Sequence, residues 1–202
     1  HLGEEFVVFN GDVLARPDLA QQMAAHRSLG ARVTMVLRDD PRASALGAIE
    51  LDAGGRVRRI LDEGPPAAVP TRRCVFTGVY VVSSSIADDL PAEGCVVRHT
   101  LRRLLARGEV VAGVLDDGPW FDLGTLESYA AVNFALATGA LRWAGVTPSP
   151  DGVFAPPGVD RSGLSSPVVI GSGALIAPSA TVSRAIVWDG ATVTASVRDA
   201  VV

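Results

Sequence analysis

The sequence predicts an α/β sheet followed by a short β-helix. Three observations carry that expectation. An apolar run, Phe6-Val7-Val8-Phe9, stops abruptly at Asn10-Gly11-Asp12; it reads as a strand buried on both faces, with a carboxylate at its carboxyl end. A helical stretch and a second apolar run, Val33-Thr34-Met35-Val36-Leu37, come next, so residues 6–37 form a β-α-β crossover, which implies parallel strands. Near the end, Ile170, Ile176, Val182 and Trp188 recur every six residues, with Ala174, Ala180 and Ala191 near the fifth place of their turns, a rhythm suited to stacked β coils.

Each element follows from local chemistry. After Asp12, Pro17 falls near the first turn of a helix whose face is Leu19, Met23 and Ala24, and Gly30 closes it as the C′ residue. Leu46 to Leu51 and Arg56 to Leu61 read as two strands of a hairpin joined by the turn Asp52-Ala53-Gly54-Gly55. Residues 62–70, with Pro65, Pro66 and Pro70, form a loop, and Cys74 to Val82 is a strand. Ile86 to Leu90 is a short helix. Val97 to Ala106 is a longer one with Leu101, Leu104 and Leu105 on its apolar face and Gly108 at its end. Val110 to Leu115 is a strand, Asp116-Asp117-Gly118-Pro119 a turn, and a helix capped by Thr125 runs from about Leu126 to Leu136. The domain boundaries expected are 1–138 for the sheet, 139–167 for a proline-interrupted linker with room for one strand, and 168–202 for the coils.

Composition excludes several classes of function. The chain has 202 residues, 48% of them hydrophobic, enough for one large domain or two small ones. A net charge of -4 argues against a nucleic-acid surface. No apolar run approaches a membrane span and no signal peptide is present, so the expected address is cytoplasmic. Cys74 and Cys95 make neither a metal spacing nor a disulfide framework, and His1, His26 and His99 are isolated; the last two are expected at the surface or in packing. All 18 basic residues are arginine, which excludes Schiff-base chemistry and a Walker P-loop.

The best candidates for chemistry are two aspartates. Asp12 stands at the strand edge where open α/β sheets bind ligands, although Asn-Gly-Asp is also ordinary turn chemistry. Phe-Val-Val-Phe-Asn-Gly-Asp resembles the central strand of the sugar-phosphate nucleotidylyltransferases, or NDP-sugar pyrophosphorylases. The most specific stretch, Trp120-Phe121-Asp122-Leu123-Gly124-Thr125-Leu126-Glu127-Ser128-Tyr129, resembles the W-x-D-x-G-T-x-x-x-Y element of the mannose-1-phosphate guanylyltransferase group; without the resemblance, Asp122 reads as an Asp at a strand–helix junction. The hexapeptide rhythm resembles the left-handed β-helix that ends many bacterial members.

The resemblance implies a Rossmann-like nucleotidyltransferase sheet followed by a partial left-handed β-helix. It implies nucleotidyl transfer from a nucleoside triphosphate, GTP favoured, to a sugar 1-phosphate, mannose 1-phosphate favoured, with release of pyrophosphate. Asp12 and Asp122 would be the catalytic carboxylates and the ligands of Mg²⁺, which offsets the repulsion between two anions. Gly47, Asp62, Thr77 and Gly78 would line the sugar pocket, and Asn10 and Gly11 would also bind substrate; the other reading of Thr77 is a satisfied core hydroxyl. Ile60-Leu61-Asp62-Glu63-Gly64 stands where the family shows Glu-Lys-Pro: Asp62 replaces the Glu, Glu63 reverses the charge of the Lys, and Arg72 or Arg73 is the nearby substitute cation.

The family's opening G-x-G-T-R-L loop and later Pro-Lys, which hold the triphosphate, have no counterpart here. The resemblance therefore covers the second half of the catalytic domain and the start of the β-helix. With His1 first and a strand needing neighbours so close behind it, the expectation is a fragment that does not turn over by itself. The open end of the coils makes self-association into a homo-oligomer plausible. Three other readings stand beside this one. They are a uridylyl- or thymidylyltransferase acting on glucose 1-phosphate or an amino sugar phosphate, a non-catalytic regulatory or scaffold relative favoured by Glu63, and an acyltransferase on the coils, weakened by the absence of His there.

Overall fold

The computed structural model describes residues 3–63 and 66–202. The expectations placed on His1, Gly64 and Pro65 lie outside the described residues. Contacts divide the chain into two units, His1–Trp120 and Phe121–Val202.

The first unit opens with β1 (Glu5–Phe9), β2 (Val13–Ala15), α1 (Leu19–Ser28) and β3 (Val33–Arg38). It continues through α2 (Ala43–Leu46), β4 (Ile49–Asp52), β5 (Val57–Ile60) and the long β6 (Thr71–Ser83). A 3₁₀ turn over Ser84–Asp89 and a π turn over Val97–Leu101 lead into α3 (Arg102–Ala106), and β7 (Val111–Leu115) follows. The main sheet runs β5-β4-β6-β3-β7, with β1 also paired to β6. β6 has residues enough to serve two neighbours along one edge. Its first residues pair with β4, from Asp52↔Thr71 to Ile49↔Cys74. Its last pair with β1, from Phe9↔Val79 to Glu5↔Ser83. Both β1 and β3 run antiparallel to β6, while β7 runs parallel to β3. The crossover strands β1 and β3 are thus parallel, as expected, but β6 lies between them: Phe6, Val82, Val33 and Val111 form one row across the sheet.

β3 is buried from Val33 to Leu37, because its alternating faces are both apolar apart from Thr34. With Ile49, Ile60, Leu101, Leu104 and Val111 it forms the core, where each fully buried aliphatic side chain contributes about 1.5–3 kcal/mol. Three expectations need correction. β1 is half-buried rather than buried on both faces, and Phe9 is 45% exposed, since β6 covers one edge only of this strand among the described residues. Pro17 lies before the N-cap: Asp18 accepts the Gln21 N–H at 3.0 Å, and α1 starts at Leu19. The buried face of α1 is Gln22 and His26, not Leu19, Met23 and Ala24. At His26 polar contacts hold that face. The His26 ring nitrogens meet Thr34 Oγ1 and Ser83 Oγ, each at 2.9 Å, so His26 is a packing residue, whereas His99 is exposed.

The strand read from Leu46 begins only at Ile49. Leu46 ends α2 and Gly47 breaks the backbone at φ +89. The Asp52 turn is as expected; its Oδ1 accepts the N–H groups of Gly54 and Arg56.

The second unit begins within β8 (Trp120–Asp122), at Phe121. It holds α4 (Leu126–Thr138), β9 (Val153–Phe154), β10 (Leu164–Ile170), β11 (Leu175–Ile176), β12 (Val182–Val187), β13 (Thr192–Val193) and β14 (Val197–Val201). These strands stack in parallel, one coil above another. Val153, Val168, Ala185 and Ala200 form one ladder, and Ile176 and Val193 belong to another. The stretch read as a linker over 139–167 contains β9, the first rung, and the beginning of β10. Ile170, Val182 and Ala180 point inward with Val168 and Val187, as the rhythm requires. Trp188 does not; it is 51% exposed, because Val187, not Trp188, stacks on Ile170. Among the described residues no helix is long and apolar enough to cross a membrane.

Candidate functional site

The carboxyl ends of β1, β3 and β7 share one edge of the sheet, because those strands are mutually parallel. Each end carries aspartates: Asp12, Asp39 and Asp40, and Asp116 and Asp117. The Asn10-Gly11-Asp12 turn is anchored where β6 bends. The Asn10 N–H donates to the Gly78 carbonyl at 2.8 Å, one step beyond the β1–β6 ladder. Gly78 has φ +81, and a Cβ there would lie 3.0 Å from Val13 Cγ1 and 3.1 Å from Asn10 Cβ. Only glycine lets the turn lie this close over β6. Asp12 is exposed, and among the described residues its side chain has no hydrogen-bond or ion-pair partner.

The loop after β7 braces this edge. Asp116 Oδ2 accepts the Asp18 N–H at 2.9 Å, Arg16 N–H donates to the Pro119 carbonyl, and an Arg38 Nη1–H donates to the Gly118 carbonyl at 2.7 Å. Thr77 and Gly78 thus do join Asn10, Gly11 and Asp12. The Thr77 hydroxyl, however, is buried and donates to the Val36 carbonyl at 2.9 Å. The Thr77 carbonyl accepts the Trp120 indole N–H at 2.8 Å. Thr77 therefore fixes the floor of the edge with a satisfied core hydroxyl, the second of the two readings its sequence position allowed.

A second group forms around the β4–β5 hairpin. A Cβ on Gly47 would lie 2.5 Å from Leu61 Cδ2, so Gly47 makes room for Leu61. Leu61 and Asp62 both take left-handed backbone, at φ 56 and 57. Arg73 grips the Asp62 carboxylate with two bonds, 2.6 and 2.9 Å, and Arg59 donates to the Asp62 carbonyl. The Arg73 hydrogen bonds hold the Asp62 carboxyl below the usual carboxylate range. Both Asp62 oxygens, read from sequence as the holder of a sugar hydroxyl, are engaged by Arg73, the cation read as a candidate for the sugar phosphate. Arg72 pairs with Asp39 at 3.4 Å, and Glu63 pairs with Arg102. The Arg102 pairing neutralises the charge reversal at Glu63; no sequence spacing links residue 63 to residue 102, so it was invisible beforehand.

Asp122 belongs to the second unit, while Asp12 belongs to the first. Its Oδ1 accepts the Gly124 N–H at 2.8 Å, which shapes the turn into α4. Thr125 caps that helix. Its Oγ1 accepts the Ser128 N–H at 3.1 Å, and Ser128 Oγ accepts the Thr125 N–H in return. The motif's Tyr129 accepts the Trp188 indole N–H on its hydroxyl at 3.2 Å and meets that ring edge-on. Tyr129 is therefore a packing residue within its unit. Asp122 Oδ2 makes no hydrogen bond among the described residues. No group of three or more His, Cys, Asp or Glu side chains able to hold a metal exists among the described residues.

Residues 2–139 match the nucleotidyl transferase family. The chain is 34% identical over 208 residues to the mannose-1-phosphate guanylyltransferase of Mycobacterium tuberculosis (strain ATCC 25618 / H37Rv), covering 94% of this chain and 54% of that protein. It is 29% identical over 143 residues to the glucose-1-phosphate adenylyltransferase of Desulfitobacterium hafniense (strain DSM 10664 / DCB-2), covering 66% of this chain and 35% of that protein. The solved structure of HddC from Yersinia pseudotuberculosis aligns over 64% of this chain and 54% of that one, at 19% identity and a TM-score of 0.49. The chain thus spans about half the length, or less, of the curated relatives it matches.

Proposed function

The chain belongs to the nucleotidyl transferase family, and from that premise we propose that its protein transfers a nucleotidyl group to a sugar 1-phosphate. A phosphate oxygen of the sugar attacks the α-phosphorus of a nucleoside triphosphate, the bond to the β-phosphate breaks, and pyrophosphate leaves. The observation that carries the reading is the Asn10-Gly11-Asp12 turn seated on Gly78, which presents an unpaired carboxylate at the ligand edge of the sheet. Mannose 1-phosphate and GTP are the favoured pair, because the guanylyltransferase alignment spans more of the chain than the adenylyltransferase one. That second relative supports glucose 1-phosphate as the other acceptor to test.

In this reading Asp12 and Asp122 hold Mg²⁺. When bound, the ion offsets the charge of the two phosphates brought together. The chain's own residues align and position. The attacking phosphate is already ionised, so no strong base is required. Asn10 and Gly78 fix where Asp12 stands, and the Trp120–Thr77 bond holds β6 against shifting beneath it. We read the parallel coils as a left-handed β-helix, on their hexapeptide rhythm, and the address as cytoplasmic.

The test is pyrophosphate release by the protein encoded by the complete gene, with each of four nucleoside triphosphates and with mannose or glucose 1-phosphate, with and without Mg²⁺. Asp12→Asn is expected to lower kcat/KM by about 10²–10³-fold, or about 3–4 kcal/mol of transition-state stabilisation. No release from any pair, or an Asp12→Asn variant as active as the wild type, would defeat the proposal.

A further inference from the structure

This acidic chain carries a conspicuously basic cavity. It lies over the π turn and α3 and has a volume of about 560 Å³, within the range of small-ligand sites. Arg98, His99, Arg102 and Arg103 line it, against the single carboxylate of Asp88. That is three fixed positive charges and a titratable ring facing one negative charge, in a chain whose net charge is -4. Helical geometry explains the convergence. Residues 98 and 102 are one turn apart, as are 99 and 103, so the four heads rise from adjoining positions of one helical surface.

The four cations are not equally engaged. Arg103 donates to the Asp89 carbonyl, Arg102 pairs with Glu63, and His99 Nδ1 meets the Cys95 carbonyl at 2.9 Å. Arg98 is exposed, and among the described residues its guanidinium has no ion pair or hydrogen bond. The wall opposite is apolar. Leu90 borders the same cavity with 46% of its surface exposed, next to Pro91 and Ala92. None of Asn10, Gly11, Asp12, Gly47, Asp62, Thr77, Gly78 or Asp122 lines this cavity.

We propose that this cavity is a binding site for a small phosphorylated organic molecule, its phosphate monoester on Arg98 with His99 and Arg102, and its uncharged ring or chain against Leu90. Guanidinium forks match phosphate oxygens in geometry and charge, which selects the anion. The apolar wall selects an organic body over inorganic phosphate. A nucleoside monophosphate and a phosphorylated sugar share this chemistry and fit the volume. Engagement of Arg102 draws on the guanidinium that holds Glu63, so an occupant bears on the loop next to Asp62.

The experiment is calorimetric titration of the protein with adenosine 5′-monophosphate, mannose 6-phosphate, inorganic phosphate and adenosine, at low and at physiological salt. One or both organic phosphates are expected to bind more tightly than inorganic phosphate, with adenosine weakest, and affinity should fall as salt rises. Which organic phosphate binds tighter separates the nucleotide source from the sugar source. Arg98→Glu should weaken that binding at least about tenfold. Arg98→Lys should restore most of it. Arg198→Glu, an exposed arginine in the other unit, should leave it unchanged. Binding equal in wild type and Arg98→Glu, binding of adenosine as tight as its monophosphate, or no binding of either organic phosphate at millimolar concentration would overturn the proposal.

Discussion

His26 is a buried ring held between two hydroxyls, with Thr34 on one nitrogen and Ser83 on the other. Burial is the main cause that lowers its pKa below the ordinary 6.5, opposed by the charge of Glu5 and assisted by that of Arg27. The folded state therefore holds the neutral ring, while the unfolded chain takes up a proton near 6.5. The sign follows. The stability contributed by the neutral ring is complete above 6.5 and is lost as pH falls through the lowered folded-state value. Urea unfolding between about pH 8 and pH 5 should show wild-type stability declining, and His26→Gln should be less stable at pH 8 but flatter below it. Parallel pH slopes for the two would refute the assignment. Asp62 is a different kind of residue. Its partner Arg73 is exposed, so their pairing sets orientation more than stability.

At the scale of the element, α4 shows the capping chemistry its motif carries. Thr125 was expected as an N-cap and is one, with the reciprocal Ser128 bond completing the box. Thr125→Ala should cost about 1 kcal/mol, read as a lower midpoint of thermal or urea unfolding; no change would mean the cap bonds are idle. Strands were legible where apolar runs are flanked by turn residues, as in β3, β6 and β7. Helix α1 was legible in extent but not in facing. Its apolar residues suggested one face, whereas Gln22 and His26 pack inward, His26 with Thr34 and Ser83 on its two ring nitrogens. The coil rhythm was legible until a one-residue shift exchanged Val187 for Trp188 at the inward place. Periodicity cannot show such a slip, because it counts residues and the stack obeys register. The site was legible as a set of carboxylates and glycines. Its arginine partners were not, since Asp62–Arg73 and Glu63–Arg102 are set by the fold and not by spacing.

At the scale of the whole molecule, each unit has a separate core. One is assembled around Val33, Met35, Leu37 and Leu104, the other around Val168, Val182, Ala185 and Val187. Val182 is fully buried, and Val182→Ala should remove about 2 kcal/mol from the coil unit. Amide hydrogen exchange should then quicken in β10, β12 and β14 while β3 and β7 keep their protection. Equal acceleration in both units would mean that they open as one.

The placement of β6 between β1 and β3 has a consequence for synthesis. Residues 5–9 and 33–38 leave the ribosome before the strand that matches them both, which is complete only at Ser83. Until then two apolar segments travel with open edges, and pairings this distant in sequence are slow to close. A nascent chain therefore shows its neighbours the unpaired edges of both segments until β6 has emerged between them.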